Sequence, residues 1–424
     1  MTATQVLTAG PESRSIHHQI VIVGGGAAGL TVAAQLADRD SALDILILDP
    51  SESHYYQPAW TLVGAGCYRY EDTVKPTKSV IPAGVQWRQD GVVSFDPEAD
   101  RLQTQHGATI TYEILIVCPG IQLDWDKVVG LKEALGKDGV CSNYAVGGAN
   151  YTWELLNDFK GGNALFTFPA TPIKCAGAPQ KIMYLADDIF RRNGVRSQTN
   201  LSYCTAGPKI FAIETFVPPL TQVLERKNIA MKPKHNLKEV RAQAKEAIFE
   251  VATADGTDTV TLPYDILHVA PPMSAPDFIK NSPLAIAGPG GWVDVHKHTL
   301  QHNRYPNVFS LGDASSLPTS KTAAAIRKEA PVLVQNLLDY LSKKPLEARY
   351  NGYSCCPLIT GFGKTILAEF DYDGKPEPSF PLDPTQERYS MWILKRHVLP
   401  WVYWNRMLKG KQHEGEPIRK WLRA

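Results

Sequence analysis

Residues 18–29 read HQIVIVGGGAAG, and this stretch decides the fold. His18–Val23 is a short, uninterrupted apolar run of the kind that forms a parallel strand covered on both faces. Three glycines follow at the spacing Gly24-x-Gly26-x-x-Gly29, then the helical segment LTVAAQLADRD and a second strand-like run, DILILDP. In a strand–turn–helix unit each glycine has its own task. Gly24 makes the tight turn, Gly26 lets the backbone approach a pyrophosphate, and Gly29 lets helix and strand pack closely. The helix N-terminus then supplies an anion site. Asp49 closes the second strand twenty residues after Gly29, where a carboxylate can hold a ribose hydroxyl. Strand, glycines, helix, second strand and acid in register predict a dinucleotide-binding unit.

This fingerprint serves both FAD and NAD, and a late segment chooses between them. Tyr305–Asp313 (YPNVFSLGD) is a strand that delivers Gly312-Asp313, and a helix is predicted from Ala323 onward (AAAIRKEAPVLVQNLLDYL). Flavoproteins with two dinucleotide domains use such an Asp on the ribityl chain and aim the next helix at the isoalloxazine. Ile114–Gly120 (ILIVCPG) is similar to the strand that returns from the FAD domain in those families. The predicted fold is therefore α/β, with two Rossmann-like domains of the two-dinucleotide flavoprotein kind and FAD as cofactor.

The boundaries expected are 17–142 with 286–345 for a discontinuous FAD domain, and 143–285 for a second Rossmann-like domain. The second domain has strands at Ala164–Phe168 and Leu201–Cys204, but neither junction carries a glycine-rich loop. TFPATPIKCAGAP follows the first strand and CTAGPKI the next. A nicotinamide dinucleotide has no recognisable pyrophosphate site, so the electron donor should be something else. Residues 346–424 form a third region. Its last part, 388–424, holds nine Lys/Arg against two acids, and four tryptophans: Trp392, Trp401, Trp404 and Trp421. SMWILKRHVLPWVYWNRMLKG is too charged to span a bilayer. It predicts two short amphipathic helices, broken at Pro400, lying among lipid headgroups.

The totals exclude several classes. At 424 residues, 44% apolar and 21% charged, the chain is globular with ample core. A net charge of +1 argues against nucleic acid as a partner. The opening MTATQVLTAGPESRSIHHQ has neither the apolar core of a secretory signal nor the arginines of a transit peptide. The eleven histidines make no H-x-x-H pattern, so no metal is expected, and His54 and His302 are taken as ordinary hydrogen-bonding residues. Seven scattered cysteines form no C-x-x-C pair, and most should be small buried hydrophobes.

Two cysteines stand apart. Cys175 precedes the helical segment GAPQKIMYLADDIF and is flanked by Lys174 and Lys181, and a helix N-terminus with nearby ammonium groups favours thiolate. Cys355-Cys356-Pro357 precedes the strand-like LITGFGKTILAEF, and the residues alone leave open which of the adjacent pair would act.

Eight segments carry a resemblance over nearly the whole chain after about residue 18. They are YYQPAWTLVGAG, NYAV, TFPATPIKCAGAPQKIMYLAD, PPMSAPD, GWVDVHKHTLQHNRYPNVFSLGD, LPTSKTAAA, SCCPLITG and LAEFDY. The chain resembles the sulfide:quinone oxidoreductases, in the branch that includes the mitochondrial enzymes. The resemblance implies an FAD enzyme that oxidises hydrogen sulfide at a disulfide or sulfur-bridged cysteine pair and passes two electrons to membrane quinone. By motif the pair is Cys175 and Cys356, while Cys355 stands where that branch often has another small residue. Cys141, near a third cysteine of other branches, is taken as structural. Lys321 of LPTSK would sit at the flavin's pyrimidine edge and Pro58 of YYQPAW against the isoalloxazine. Gly24, Gly26, Gly29, Asp49, Gly120, Gly312 and Asp313 complete the cofactor set.

Hydrosulfide attack at Cys356 would leave a persulfide there and free Cys175 as thiolate. Sulfite, glutathione or a second sulfide would then remove the sulfane sulfur. Phe362, Trp392 and Tyr389 are candidates for the quinone pocket on composition alone. The expected location is peripheral, on the cytoplasmic face of a bacterial inner membrane, with the mitochondrial inner membrane as the alternative. The sequence leaves homo-oligomerisation open. Two other readings compete. A type 2 NADH:quinone oxidoreductase would need the missing glycine loop, and a sulfide- or redox-sensing flavoprotein would not need the two thiols to turn over.

Overall fold

The computed structural model of the chain describes residues 6–7 and 15–411. Trp421 and the charged residues beyond 411 lie outside the described residues. The first sheet is built from β1 (Val6–Leu7), β2 (Ile16–Val23), β3 (Ile45–Leu48), β4 (Gln86–Arg88), β5 (Val92–Asp96), β6 (Arg101–Thr104) and β7 (Thr109–Val117), with α1 (Ala27–Arg39) crossing between β2 and β3. The strand order is β1-β4-β3-β2-β7-β6-β5. Ile20–Val23 of β2 and Ile114–Val117 of β7 are buried throughout and pair in parallel, which is why both read as unbroken apolar runs. α1 packs Leu30, Val32, Ala33 and Leu36 into the same core.

A second sheet follows, made of β8 (Val140–Cys141), β9 (Gly162–Phe168), β10 (Thr199–Thr205), β11 (Ala230–Pro233) and β12 (Ile266–His268), with α2 (Ala178–Arg192) after β9. All its pairings are parallel, in the order β8-β12-β9-β10-β11. His268 at the carboxyl end of β12 and Asn143 just past β8 line the same cavity as Gly25 and Gly26, and in open parallel sheets ligand chemistry gathers at that edge.

The chain then returns. β13 (Val308–Ser310) pairs in parallel with the end of β7, Val308 beside Leu115, so the Gly312-Asp313 segment is delivered to the first sheet as expected. α3 (Ala323–Leu341) follows, its first turn capped by Thr322, which accepts the Ala325 N–H. β14 (Ser354–Gly361) and β15 (Lys364–Phe370) form an antiparallel hairpin. α4 (Tyr389–Ile393), a π-helical turn over Leu394–Val398 and α5 (Leu399–Asn405) complete the described chain.

The predicted break at Pro400 is corrected here. Helical backbone runs on from Tyr389 to Asn405, and Pro400 occupies the first turn of α5. Within a continuous helix proline lacks the N–H for the preceding turn and its ring crowds the carbonyl there, and the wider π turn over Leu394–Val398 just upstream accommodates it.

Candidate functional site

The β14–β15 hairpin lies between the two hydrophobic cores. Successive strand residues point to opposite faces, so Cys355 packs with the first core and Cys356 with the second. That alternation resolves the adjacent pair: the Cys356 Sγ lies 3.9 Å from the Cys175 Sγ, across 181 positions of sequence. The two sulfurs are in contact and unbonded, both cysteines being free. Gly177 makes this approach possible, since a Cβ there would stand 2.4 Å from the Cys356 Sγ and 2.4 Å from the Leu358 side chain.

Cys175 sits in the loop after β9, where a nucleotide-binding junction would hold glycines. It has φ of 51°, a left-handed conformation that costs a non-glycine residue about 1 kcal/mol. Two backbone bonds hold it there. Its N–H donates to the Lys321 carbonyl (2.8 Å), and its own carbonyl accepts from Ala178 (2.7 Å). The PIKC and LPTSK segments therefore run side by side, with Lys174 and Lys321 forming an isolated parallel bridge.

The electrostatics are asymmetric. The Cys175 thiol is held well below its ordinary value by the hydrogen bond from Cys356, against burial, and then by the Lys181 ammonium. Lys181 is buried and places its Nζ 3.1 Å from the Cys175 Sγ. Burial opposes its charge, but the two cysteines outweigh that and push its pKa up. Cys356 is driven well up, first by Cys175 and then by burial. The pair thus has one sulfur suited to be thiolate and one that is not. Lys395 is also buried near the sulfurs, donating to the Pro58 carbonyl at 2.8 Å. Burial brings it down to about 8.

Beside the pair opens a cavity of about 880 Å³, within the range of small-ligand and cofactor sites. Gly25, Gly26, Asp49, Pro58, Gly120, Asp313 and Lys321 line it, together with Cys175 and Lys181. Gly24 has φ of +107°, and a Cβ there would meet the Cys118 carbonyl at 2.5 Å. At Gly29 a Cβ would stand 1.9 Å from the Gly24 carbonyl oxygen, which is the close helix–strand packing expected of it. Gly26 differs, because a Cβ there meets nothing within 4 Å and would project into open space.

Asp49 accepts the Gly25 N–H at 2.5 Å and the Ser51 N–H at 2.8 Å. Its carboxyl is raised by burial despite those two donors, and its remaining lone pairs are free for a further donor. Gly312 (φ +69°) donates its N–H to the buried Glu329 carboxyl at 2.7 Å. Lys321 is buried, donates to the Ser315 carbonyl at 2.9 Å and lies 4.0 Å above the Trp292 ring. Burial lowers it to about 8.

Known proteins share this architecture. Residues 18–145 match the pyridine nucleotide-disulphide oxidoreductase family model. The solved sulfide:quinone oxidoreductase of Aquifex aeolicus superposes with a TM-score of 0.77 at 18% identity, covering 96% of this chain and 94% of that one, a likeness of fold. The mitochondrial sulfide:quinone oxidoreductase of Mus musculus is 46% identical over 395 residues, 93% of this chain and 87% of the mouse protein. That of Dictyostelium discoideum is 47% identical over 93% of this chain and 86% of its own length. The chain belongs to the sulfide:quinone oxidoreductase family. It is an FAD-dependent oxidoreductase of mixed α/β, Rossmann-like fold.

The residues present fit FAD. α1 begins at Ala27 with no side-chain cap at Gly26, so its first N–H groups stay available to an anion beside the open space at Gly26. Asp49, Asp313, Lys321 and the first turn of α3 all line the cavity and would offer a bound dinucleotide polar contacts.

The site as built departs from the sequence reading in several places. Phe362, Trp392 and Tyr389 do not line the cavity. Phe362 lies under the Arg192 guanidinium, Trp392 is buried in the second core and Tyr389 is exposed. The segment Leu394–Tyr403 lines it instead, through Leu394, Val398, Leu399, Trp401, Val402 and Tyr403. Lys395, within the segment read as lying among headgroups, is turned inward, and its charged neighbours Arg396 and His397 left no signal to set it apart. Cys141 is buried at the end of β8, in the same core as Cys356, and burial pushes its thiol up to about 12. His54 bridges the Gly25 carbonyl (3.1 Å) and the Tyr403 hydroxyl (2.6 Å), and so ties the glycine loop to α5.

Proposed function

We propose that this protein oxidises hydrogen sulfide at the Cys175–Cys356 pair and passes the electrons through FAD to a membrane quinone. The observation that carries the reading is the asymmetry of the two sulfurs, 3.9 Å apart, with the Lys181 Nζ 3.1 Å from the Cys175 Sγ and only the Cys175 thiol held below its ordinary value. In the oxidised pair, joined as a disulfide, hydrosulfide attacks the sulfur whose partner leaves best. A leaving thiolate departs faster the lower its pKa, and Lys181 holds Cys175 as thiolate. Attack therefore falls on Cys356. A new S–S bond makes the Cys356 persulfide, the bond to Cys175 breaks, and its electron pair stays on Cys175. When bound, FAD supplies the two-electron chemistry that turns the reduced pair over. Sulfite, glutathione or another sulfide then takes the outer sulfur of the persulfide.

The rest of the chain serves these steps. Residues 17–142 and 286–345 hold FAD, 143–285 supply Cys175 from the edge where a nicotinamide domain would bind its dinucleotide, and 346–424 supply Cys356 and the quinone end. Gly24, Gly26 and Gly29 admit the pyrophosphate, Asp49 takes a ribose, and Asp313 takes the ribityl chain. Pro58 and Gly120 approach the ring, and Lys321 offers positive charge at its edge.

No helix of the described residues is long and apolar enough to cross a membrane. Trp401 and Val398 are exposed on the surface yet also line the cavity. Arg396, His397, Lys75 and Trp404 flank Trp401. Such a face suits peripheral attachment to anionic lipid, with the quinone entering past Trp401. The relatives' mitochondrial names support the mitochondrial inner membrane, the second of the two expected compartments.

Anaerobic titration of the purified flavoprotein with sulfide, followed by addition of a decyl-substituted quinone, tests the reading. Sulfide should bleach the flavin and quinone should restore its colour. Faster bleaching by NADH than by sulfide would defeat the reading.

A further inference from the structure

One wall of the cavity is formed by α3, the β14–β15 hairpin and the chain after it. Glu369 of β15 stands in this wall, directly across the ladder from Cys355, and is 2% exposed. Its Oε1 accepts the Tyr353 hydroxyl at 2.5 Å and the Ser379 hydroxyl at 2.5 Å, and its Oε2 accepts the Ser379 N–H at 2.9 Å. Among the described residues it forms no ion pair. A buried carboxylate without a cation is costly and needs a reason.

Its position offers one. Glu369 lines the large cavity and, on the same face of the hairpin, a small adjoining hollow with Asp383 and Arg388. The hollow, about 20 Å³, has room for about one water. Tyr353, buried at 4% exposure, lines the cavity side. The Arg327 Nη2 lies 3.5 Å from the Tyr353 oxygen, while the buried Arg327 Nε has no protein partner.

We propose that Glu369 and Tyr353 form the proton inlet for quinone reduction. This rests on the reading that quinone is reduced inside this cavity. Each quinone takes two electrons, which sulfide oxidation supplies, and two protons, one on each ring oxygen. Glu369 takes a proton from water in the adjoining hollow and gives it to the Tyr353 oxygen as the Tyr353 hydroxyl proton passes to the facing ring oxygen. Tyr353 ends neutral and Glu369 ends as carboxylate, ready for the next proton. The second ring oxygen, toward the cavity mouth, is protonated from solvent. Ser379 is the positioning residue that fixes the carboxylate.

Rapid mixing of the FAD-loaded protein tests this with Glu369→Gln and Tyr353→Phe. Sulfide should bleach the flavin at the wild-type rate in both. Reoxidation by a decyl-substituted quinone should slow by about 10²-fold, the scale of a lost general acid. Reoxidation by ferricyanide, which takes electrons without protons, should be unchanged. Glu369→Asp, which keeps a carboxyl, should restore part of the quinone rate. Wild-type quinone rates in both variants would overturn the inlet, as would equal slowing with ferricyanide. Should Glu369→Gln fail to fold, Tyr353→Phe decides alone by the same criteria. A wild-type flavin that sulfide does not bleach would overturn the functional reading and the inlet with it.

Discussion

Lys181→Met removes the cation in direct contact with Cys175 while keeping an apolar side chain of similar length in a fully packed position. The lost contact is a buried hydrogen bond of 3.1 Å from ammonium to sulfur. Hydrogen bonds to a charged group contribute about 1.5–3 kcal/mol, and each 1.4 kcal/mol is tenfold in rate. The bond forms fully only as Cys175 leaves as thiolate, so the loss falls on the transition state of sulfide attack. The expected result is sulfide-driven flavin bleaching slowed between about tenfold and about a hundredfold, with FAD still bound.

The sign in a thiol-reactivity assay follows from the same cause. Removing the cation raises the Cys175 pKa, so alkylation of the reduced protein at Cys175 should require higher pH than in the wild type. The hydrogen bond from Cys356 remains, so the shift is partial. Lys181→Arg, which keeps the charge, should recover part of the rate. A Lys181→Met protein bleached by sulfide at the wild-type rate, with Cys175 alkylated over an unchanged pH range, would refute the reasoning.

Gly177→Ala places a methyl 2.4 Å from the Cys356 Sγ, so the oxidised protein should retain titratable Cys175 and Cys356 thiols and lose sulfide turnover; complete pairing of the two sulfurs would contradict that. Cys141→Ala should leave sulfide bleaching unchanged, because burial keeps that thiol protonated and unreactive, and a large loss of rate would restore it to the mechanism. Burial raises the Glu329 carboxyl to about 7, from an ordinary value of 4.5. The folded protein therefore binds more protons than the unfolded chain between those values, and this share of stability is present at low pH and lost as pH rises through 7. Chemical denaturation of the apoprotein should show wild type losing roughly 2 kcal/mol relative to Glu329→Gln between about pH 5 and pH 7.5; parallel pH profiles would count against the shift. Trp401→Ser should weaken flotation with vesicles containing anionic lipid while leaving sulfide bleaching intact, and unchanged flotation would remove Trp401 from the lipid face.

Much of this architecture is legible in local sequence because local physics sets it. The buried runs of β2 and β7, the glycine at each tight approach and the helix after Thr322 all follow from side-chain size and period. The sulfur pair is different. Cys175 and Cys356 lie 181 positions apart, and no periodicity links them; only the family motifs singled out Cys356. Strand alternation separates Cys355 from Cys356, but only once β14 is known to lie between two cores. The C-terminal segment misled in a physical way. Its Trp, Lys and Arg content is that of a headgroup-bound helix, yet Lys395 and Trp392 face inward while Trp401 faces out. Composition fixes how amphipathic a segment is, and packing decides which face meets lipid. Glu369 and Tyr353 carried no signal in sequence, because their significance comes from a cavity and an adjoining hollow that meet at Glu369.

The central claim is that sulfide attacks Cys356 and that Cys175 leaves as the stabilised thiolate. Its most direct measurement is peptide mass analysis after the oxidised protein has met a limiting amount of sulfide without acceptor and been alkylated within the first turnover. The account predicts an alkylated persulfide, one sulfur heavier than a simple alkylated thiol, on the Cys356 peptide, with Cys175 carrying the alkyl group alone. Persulfide on Cys175, or on neither cysteine, would contradict it.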